Sequence, residues 1–269
     1  MEIGRQFLML QIDSKITSDD LSILVFNDRL VFCTLDEIFN FDLEKNNVTN
    51  ESLKTWVNLN NIKKKNSKCI LFEGTGVIVP HELFDKSKQS LYLSLSESNF
   101  NNKKIGSKII QAHKQVLVFT QSRDWSLLFK DLFIDIETTH FCAELIPFLS
   151  RMSSDNLKKS VFIHIRKDFF DLFIYQGSQL LLFNSFPHQD EEDFLYYLFF
   201  VLEQFCLKEN QFSATFLGKF LEYQKYYEVF NEFHALTNFT YPENLKVDSK
   251  NPAPFFNYFY CNENNIRKV

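Results

Sequence analysis

The stretch VFIHIRKDFFDLFIYQGSQLLLFNSF, from Val161 to Phe186, constrains the fold more than any other part of the chain. Val161, Ile163 and Ile165 fall on one face of a strand, while Phe162, His164 and Arg166 fall on the other. Lys167-Asp168 makes a first turn, after which Phe170, Leu172 and Ile174 alternate with Asp171, Phe173 and Tyr175. Gly177-Ser178 suits a two-residue hairpin turn, because Gly supplies the positive φ. A third strand runs from Leu180 to Phe186, and Pro187 stops it. The stretch is a three-strand meander.

A helix is expected next. Asp190, Glu191, Glu192 and Asp193 crowd its first turn, where the dipole favours negative charge. Phe194 to Leu202 is apolar on nearly every side, which predicts a buried helix. A strand over Gln211–Gly218 and a helix from Lys219 to about Leu236 follow, and the remaining residues read as irregular.

The first half repeats this plan. Leu21–Phe26, Arg29–Asp36 and Ile38–Leu43 read as a meander with Asn27-Asp28 at its first turn, and a helix is expected from Glu51 to about Ile62. Strands are expected at Cys69–Phe72, Leu91–Leu95 and Gln115–Thr120, with a helix near Trp125. Ile134–Met152 reads as a short strand and then a helix. The polar run Ser153–Lys159 marks a lobe boundary, giving lobes at 1–155 and 156–269. Two copies of one pattern in a chain predict a duplicated α/β fold with a cleft between the lobes.

The totals exclude several functions. The formal net charge of −5 argues against a general nucleic-acid binder. The five cysteines are scattered without a CxxC, which fits free thiols in a reducing cytoplasm and excludes an ordinary zinc ribbon. The N-terminus is a poor signal peptide, and the apolar run from Phe194 meets Glu203 and Gln204 too soon to span a membrane. With only 6 Gly, the chain has few residues for phosphate loops.

The stretches QVLVFTQSRDW, DLFIDIETTHFCAELIPFLSR and the meander itself resemble the actin-like ATPase fold, also called ribonuclease H-like. Distant similarity extends to pilus-assembly PilM and the cytoplasmic region of type II secretion GspL. VIVPHELFD, LLLFNSF and DEEDFLYYLFFVLEQF resemble DUF3822, a family of uncharacterised Bacteroidetes proteins, over nearly the whole chain. The resemblance implies an actin-like fold without an established activity. It also implies where a nucleotide would lie. Active members of the superfamily hold ATP between the lobes, and D-x-G in each first hairpin brings backbone amides to the phosphates and an Asp to Mg²⁺.

Each of those positions departs from the pattern. His164-Ile165-Arg166 stands for D-x-G in the second hairpin, with Asp171 matching the acid of the return strand. Val25-Phe26-Asn27 stands for it in the first, and Asp28 follows. At the adenosine position Gly218 is followed by Lys219 rather than by a second Gly. The cleft candidates are therefore Asn27, Asp28, His164, Arg166, Lys167, Asp171, Gly218 and Lys219. Arg166 and Lys167 could hold an anion, but read more readily as a solvated turn. Asp171 reads as structural, capping a neighbouring turn, and His164 as a hydrogen-bonded interior histidine. No catalytic residue and no metal ligand set is assigned. Gly74 and Gly76 form a lone G-x-G, without the rest of a P-loop, and read as a turn or bulge.

The function that follows is a non-catalytic, pseudo-ATPase binding or scaffold protein of the bacterial cytoplasm, with a protein partner and no cofactor. The alternative is an unorthodox ATP-binding protein of the same superfamily, with ATP and Mg²⁺ in the interlobe cleft. A third reading places RNA on the basic loops Lys63–Lys68 and Asn101–Lys104.

Overall fold

Strand periodicity and three tight turns lay down the sheets. The computed structural model describes residues 20–34, 37–45, 48–62, 66–94, 96, 103–133, 136–153, 158–208, 211–217, 220–234, 237–239 and 266–267. In chain order these form β1 (Asp20–Val25), β2 (Arg29–Cys33), β3 (Ile38–Asp42), α1 (Asn50–Leu59) and β4 (Asn66–Leu71). Next come β5 (Gly76–Pro80), α2 (Gln89–Leu93), β6 (Lys104–Ile110), β7 (Gln115–Gln121), α3 (Trp125–Phe129), β8 (Glu137–His140) and α4 (Phe141–Met152). The second half is β9 (Lys159–Ile165), β10 (Phe169–Gln176), β11 (Gln179–Pro187), α5 (Glu191–Gln204), β12 (Phe212–Leu217), α6 (Phe220–Asn231), β13 (Thr237–Phe239) and β14 (Ile266–Arg267).

Two sheets share one plan. The first has the order β14-β3-β2-β1-β4-β8 and the second β11-β10-β9-β12-β13. In each, the first three strands pair antiparallel and the next two join parallel. The duplication read from the two meanders is thus a duplication of strand order and of strand direction. Between β4 and β8 the first half carries an inserted sheet of order β5-β7-β6, covered by α2.

The alternation in the opening meander sorts its residues between two cores. Val161, Ile163, Ile165, Phe170, Leu172 and Ile174 face α5 and α6. Phe162, Phe173 and Tyr175 face the other way and join the core of the first sheet. Helix α4 lies in that shared layer, burying Phe141, Cys142, Leu145, Ile146, Phe148 and Leu149. Tyr175 Oη donates to the Ile146 carbonyl at 2.9 Å, fixing α4 against the second sheet.

Three expectations need correction. The strand expected at Leu91–Leu95 is helix α2 over its first three residues, and Leu95 lies outside the described residues. Its leucines alternate as in a strand, but the inserted sheet needs a cover, and Leu93 fills the gap over Val79, Val116 and Val118. Helix α5 is not buried all round. It turns Phe194, Leu198, Val201 and Leu202 to the sheet and leaves Tyr196 67% and Phe200 52% exposed, because the sheet and α6 cover only part of its circumference. The C-terminal region, read as irregular, contributes β13 and β14 as short edge strands, too short to show a period. No helix among the described residues is long and apolar enough to cross a membrane.

Candidate functional site

Strand register builds the site. His164 on β9 is the cross-strand neighbour of Asp171 on β10, and Asp171 is the neighbour of Ser185 on β11. Directly opposed side chains on one sheet face are within reach of each other, and here they converge on the Asp171 carboxylate. His164 Nδ1 lies 2.9 Å from Oδ2, and Ser185 Oγ donates to Oδ1 at 2.6 Å. Arg166, just beyond β9, folds back over the pair. Its Nε donates to Oδ2 at 2.9 Å and its Nη2 to Oδ1 at 2.7 Å. The two-pronged contact matches the planar fork of a guanidinium to a carboxylate.

Asp171 is fully buried. Burial alone drives its carboxyl upward, but the Arg166 charge and the His164 hydrogen bond outweigh that and hold it well below the ordinary aspartate value. His164 is pushed down by burial, against the lift from its bond to Asp171. A neutral ring with its proton on Nδ1 satisfies the geometry. His140, at the N-cap of α4, is lowered to about 3 by burial and by the Arg166 charge.

Arg166 also reaches across to the first half of the chain. Its Nη1 donates to the Phe72 carbonyl at 2.7 Å and to the Gly74 carbonyl at 3.5 Å. Its guanidinium lies over the Phe141 ring, 5.2 Å from the centroid. The Phe72 ring is stacked on both sides, by Phe26 from the first hairpin at 4.6 Å and by Phe141 at 4.8 Å. The space between the two hairpin tips is therefore filled by Phe26, Phe72, Phe141 and Arg166.

The turn behind Arg166 is fixed as well. His188 Nε2 donates to the Arg166 carbonyl at 2.9 Å, and Tyr226 Oη on α6 donates to His188 Nδ1 at 3.1 Å. On the other side of the contact, Glu73 accepts from Ser122 N, Ser122 Oγ and Trp125 Nε1, each at 2.7 Å.

The residues singled out in the sequence separate into groups. His164, Arg166 and Asp171 come together. Arg166 departs from the solvated turn expected for it, because a buried carboxylate and two carbonyls outcompete water for its donors. Asp171 is structural, but as the acceptor of an ion pair rather than as a turn cap. Lys167 is exposed, Asn27 is exposed at the first hairpin tip, and Asp28 pairs with Arg29 at 3.1 Å. None of these three touches the Asp171 cluster in a recorded contact. Gly218 and Lys219 lie outside the described residues, as do Lys63, Lys64, Lys65, Asn101 and Asn102. Of the remaining basic-loop lysines, Lys68 pairs with Glu144 at 2.7 Å and Lys104 pairs with Asp124.

Sequence reasoning missed Phe72, Glu73, Phe141, Ser185, His188 and Tyr226 as parts of the site. Ser185 was not recoverable from hairpin register, since counting from the turn at Gly177-Ser178 opposes Asp171 with Asn184, and an irregularity between Ile174 and Tyr175 shifts the pairing by one residue. The others depend on contacts distant in sequence.

The family described as Protein of unknown function (DUF3822) matches residues 10–236. Among solved structures, the chain is similar to a Bacteroides thetaiotaomicron protein with an actin-like ATPase fold and unknown function. That match has a TM-score of 0.69 and 18% identity, covering 90% of this chain and 98% of the other. It is also similar to a chain of the PilM-PilN type IV pilus biogenesis complex, with a TM-score of 0.54, 9% identity, and coverage of 90% and 95%. At such identities the likeness establishes the actin-like ATPase fold alone. No curated protein matches the chain.

Proposed function

The chain belongs to the DUF3822 family and has the actin-like ATPase fold, and from that premise we propose that it is a non-catalytic, pseudo-ATPase member acting as a binding or scaffold protein. The observation that carries this reading is Arg166. A triphosphate needs hydrogen-bond donors at the hairpin tips. The guanidinium donors of Arg166, beside the second tip, are engaged by Asp171 and by the Phe72 and Gly74 carbonyls. Phe26 and Phe72 fill the adjoining space with rings.

A protein partner is supported by two further observations. One fold relative, PilM, is seen in complex with PilN. Tyr196 and Phe200 on α5 are 67% and 52% exposed, Phe233 just past α6 is 55% exposed against Phe199, and exposed aromatics favour protein contact. The setting is the bacterial cytoplasm, and the lobes divide near residue 155, with β14 (Ile266–Arg267) returning to the first sheet. The described cleft residues Asn27, Asp28, His164, Arg166, Lys167 and Asp171 serve packing and solubility rather than phosphate binding.

Thermal melting with millimolar ATP and Mg²⁺ tests the reading. A ligand at 100 times its Kd adds about 2.7 kcal/mol to the folded state. No shift is expected. A clear upward shift, or ATP turnover that co-purifies with the protein, overturns it.

A further inference from the structure

Helix α5 carries large apolar residues on two faces. Phe194, Leu198, Val201 and Leu202 meet the sheet. Tyr196, Phe199 and Phe200 follow the spacing i, i+3, i+4 on the outer face, at 67%, 36% and 52% exposure. The outer row continues toward α6. Phe199 meets Phe233 edge-on at 5.3 Å and Phe230 of α6 at 6.2 Å. Where the two helices end, a cavity of about 500 Å³ opens, lined by Phe199, Leu202, Leu207, Phe212, Phe230 and Phe233. Phe212 is held there by stacking on the buried His234 at 4.1 Å.

The surroundings select an occupant. The face is apolar at its centre and acidic around it. Glu192 precedes Tyr196 by one turn, Glu203 lines the cavity, and Glu228 and Glu232 follow on α6 and just past it, all of them exposed. Against these carboxylates stands Lys208 at the cavity, whereas Lys225 of α6 is paired with Glu191. Apolar anchors with basic flanks complement both features. Among the described residues only Phe212, the first residue of β12, brings a strand to the cavity, and the other lining residues come from α5, α6 and the segments that follow them. Recognition therefore goes through side chains rather than through a strand edge. A helix presents anchors one turn apart, which is the spacing of Tyr196 and Phe200.

We propose that this face binds a basic amphipathic helix of a partner protein, with an apolar anchor seated in the cavity and lysines or arginines over the surrounding carboxylates. The inference rests on the binding-protein reading above and gives the partner its chemistry. It stands whether or not the cleft takes a nucleotide.

Fluorescence anisotropy with a labelled leucine–lysine helix of about 18 residues tests this on the full chain. The probe has leucines at i, i+3, i+4 and i+7 and lysines elsewhere, and a leucine–glutamate peptide of the same spacing is its control. The lysine probe should bind and weaken as salt rises, and the glutamate probe should not bind. Phe200→Ser and Phe233→Ser, both at exposed positions, should each weaken binding about tenfold. Glu203→Gln with Glu232→Gln should flatten the salt dependence. Leu59→Ser, 76% exposed at the end of α1, should leave binding unchanged. No binding of the lysine probe, equal binding of the glutamate probe, or indifference to both phenylalanine variants overturns the proposal. So does a chain that sediments as a dimer and turns monomeric in Phe233→Ser, which assigns the face to a second copy. A melting shift with ATP while the lysine probe still binds strikes the pseudo-ATPase reading alone.

Discussion

Removal of the guanidinium should destabilise the protein in a way that depends on pH with an inverted sign. Arg166→Met retains most of the stem packed near Phe141 and deletes two bonds to Asp171 and one short bond to the Phe72 carbonyl. It leaves a carboxylate at 0% exposure with only His164 and Ser185 as partners. Breaking a buried pair from one side loses about 3–5 kcal/mol. At about 2 °C per kcal/mol for a chain of this size, the melting point should drop by about 6–10 °C. In the parent, Asp171 is held below its unfolded value, so its contribution is present above about pH 4 and is lost as the pH falls through the folded value. In Arg166→Met burial is opposed only by the bonds from His164 and Ser185, and the folded value rises above the unfolded one. Its stability is then present at low pH and lost as the pH rises. Urea denaturation at pH 7 and pH 5 should therefore show the gap between parent and variant narrowing at pH 5. Groups that titrate alike in both proteins cancel in this difference. Asp171→Asn in the Arg166→Met background should restore part of the loss at pH 7. A variant within about 0.5 kcal/mol of the parent at pH 7, or a gap that widens at pH 5, refutes the reasoning.

Two more outcomes follow from the same cluster and from the close approach of Gly74 to Thr120. His140 is lowered to about 3 by burial, so between about pH 6.5 and that value the unfolded chain binds a proton that the folded chain does not. Stability should be complete above about pH 6.5 and decline below it, by about 3 kcal/mol from this group at pH 4.5; His140→Gln should flatten the decline by one proton in a pH series of urea melts. Gly74→Ala places a Cβ 2.7 Å from Thr120 Oγ1 at a φ of 75°. It should lose about 1–3 kcal/mol, read as a drop in thermal midpoint, whereas a neutral result would mean that the close approach yields freely.

The fold was legible because its signal is local. Alternation in the two meanders fixed strand faces, turns at Asn27-Asp28 and Gly177-Ser178 fixed the hairpins, and the repeat gave the duplication. The inserted sheet was less legible. β5 and β6 hold few consecutive buried residues, and Leu91 and Leu93 continue a strand-like alternation where packing demands a helix. For the site, sequence named His164, Arg166 and Asp171 but misjudged Arg166. A charged residue beside a turn is normally solvated, and nothing local shows that Phe72 and Gly74, more than ninety positions earlier, present carbonyls to it.

The polarity of that contact explains how such a fold could lose a ligand and stay intact. Phosphate oxygens are acceptors, so a phosphate site must present donors. Here the first half of the chain presents acceptors, the Phe72 and Gly74 carbonyls, and the second half supplies a cation that also neutralises its own buried carboxylate. An incoming polyanion would have to draw Arg166 away from Asp171, leaving a buried negative charge beside the new ones. Like charges in a poorly solvated site repel strongly, so the arrangement that fastens the two halves also opposes the ligand that the cleft of an active relative holds. On the proposed reading, one arginine takes over the bridging task of a bound nucleotide, and the contact between the halves becomes permanent rather than conditional on a ligand.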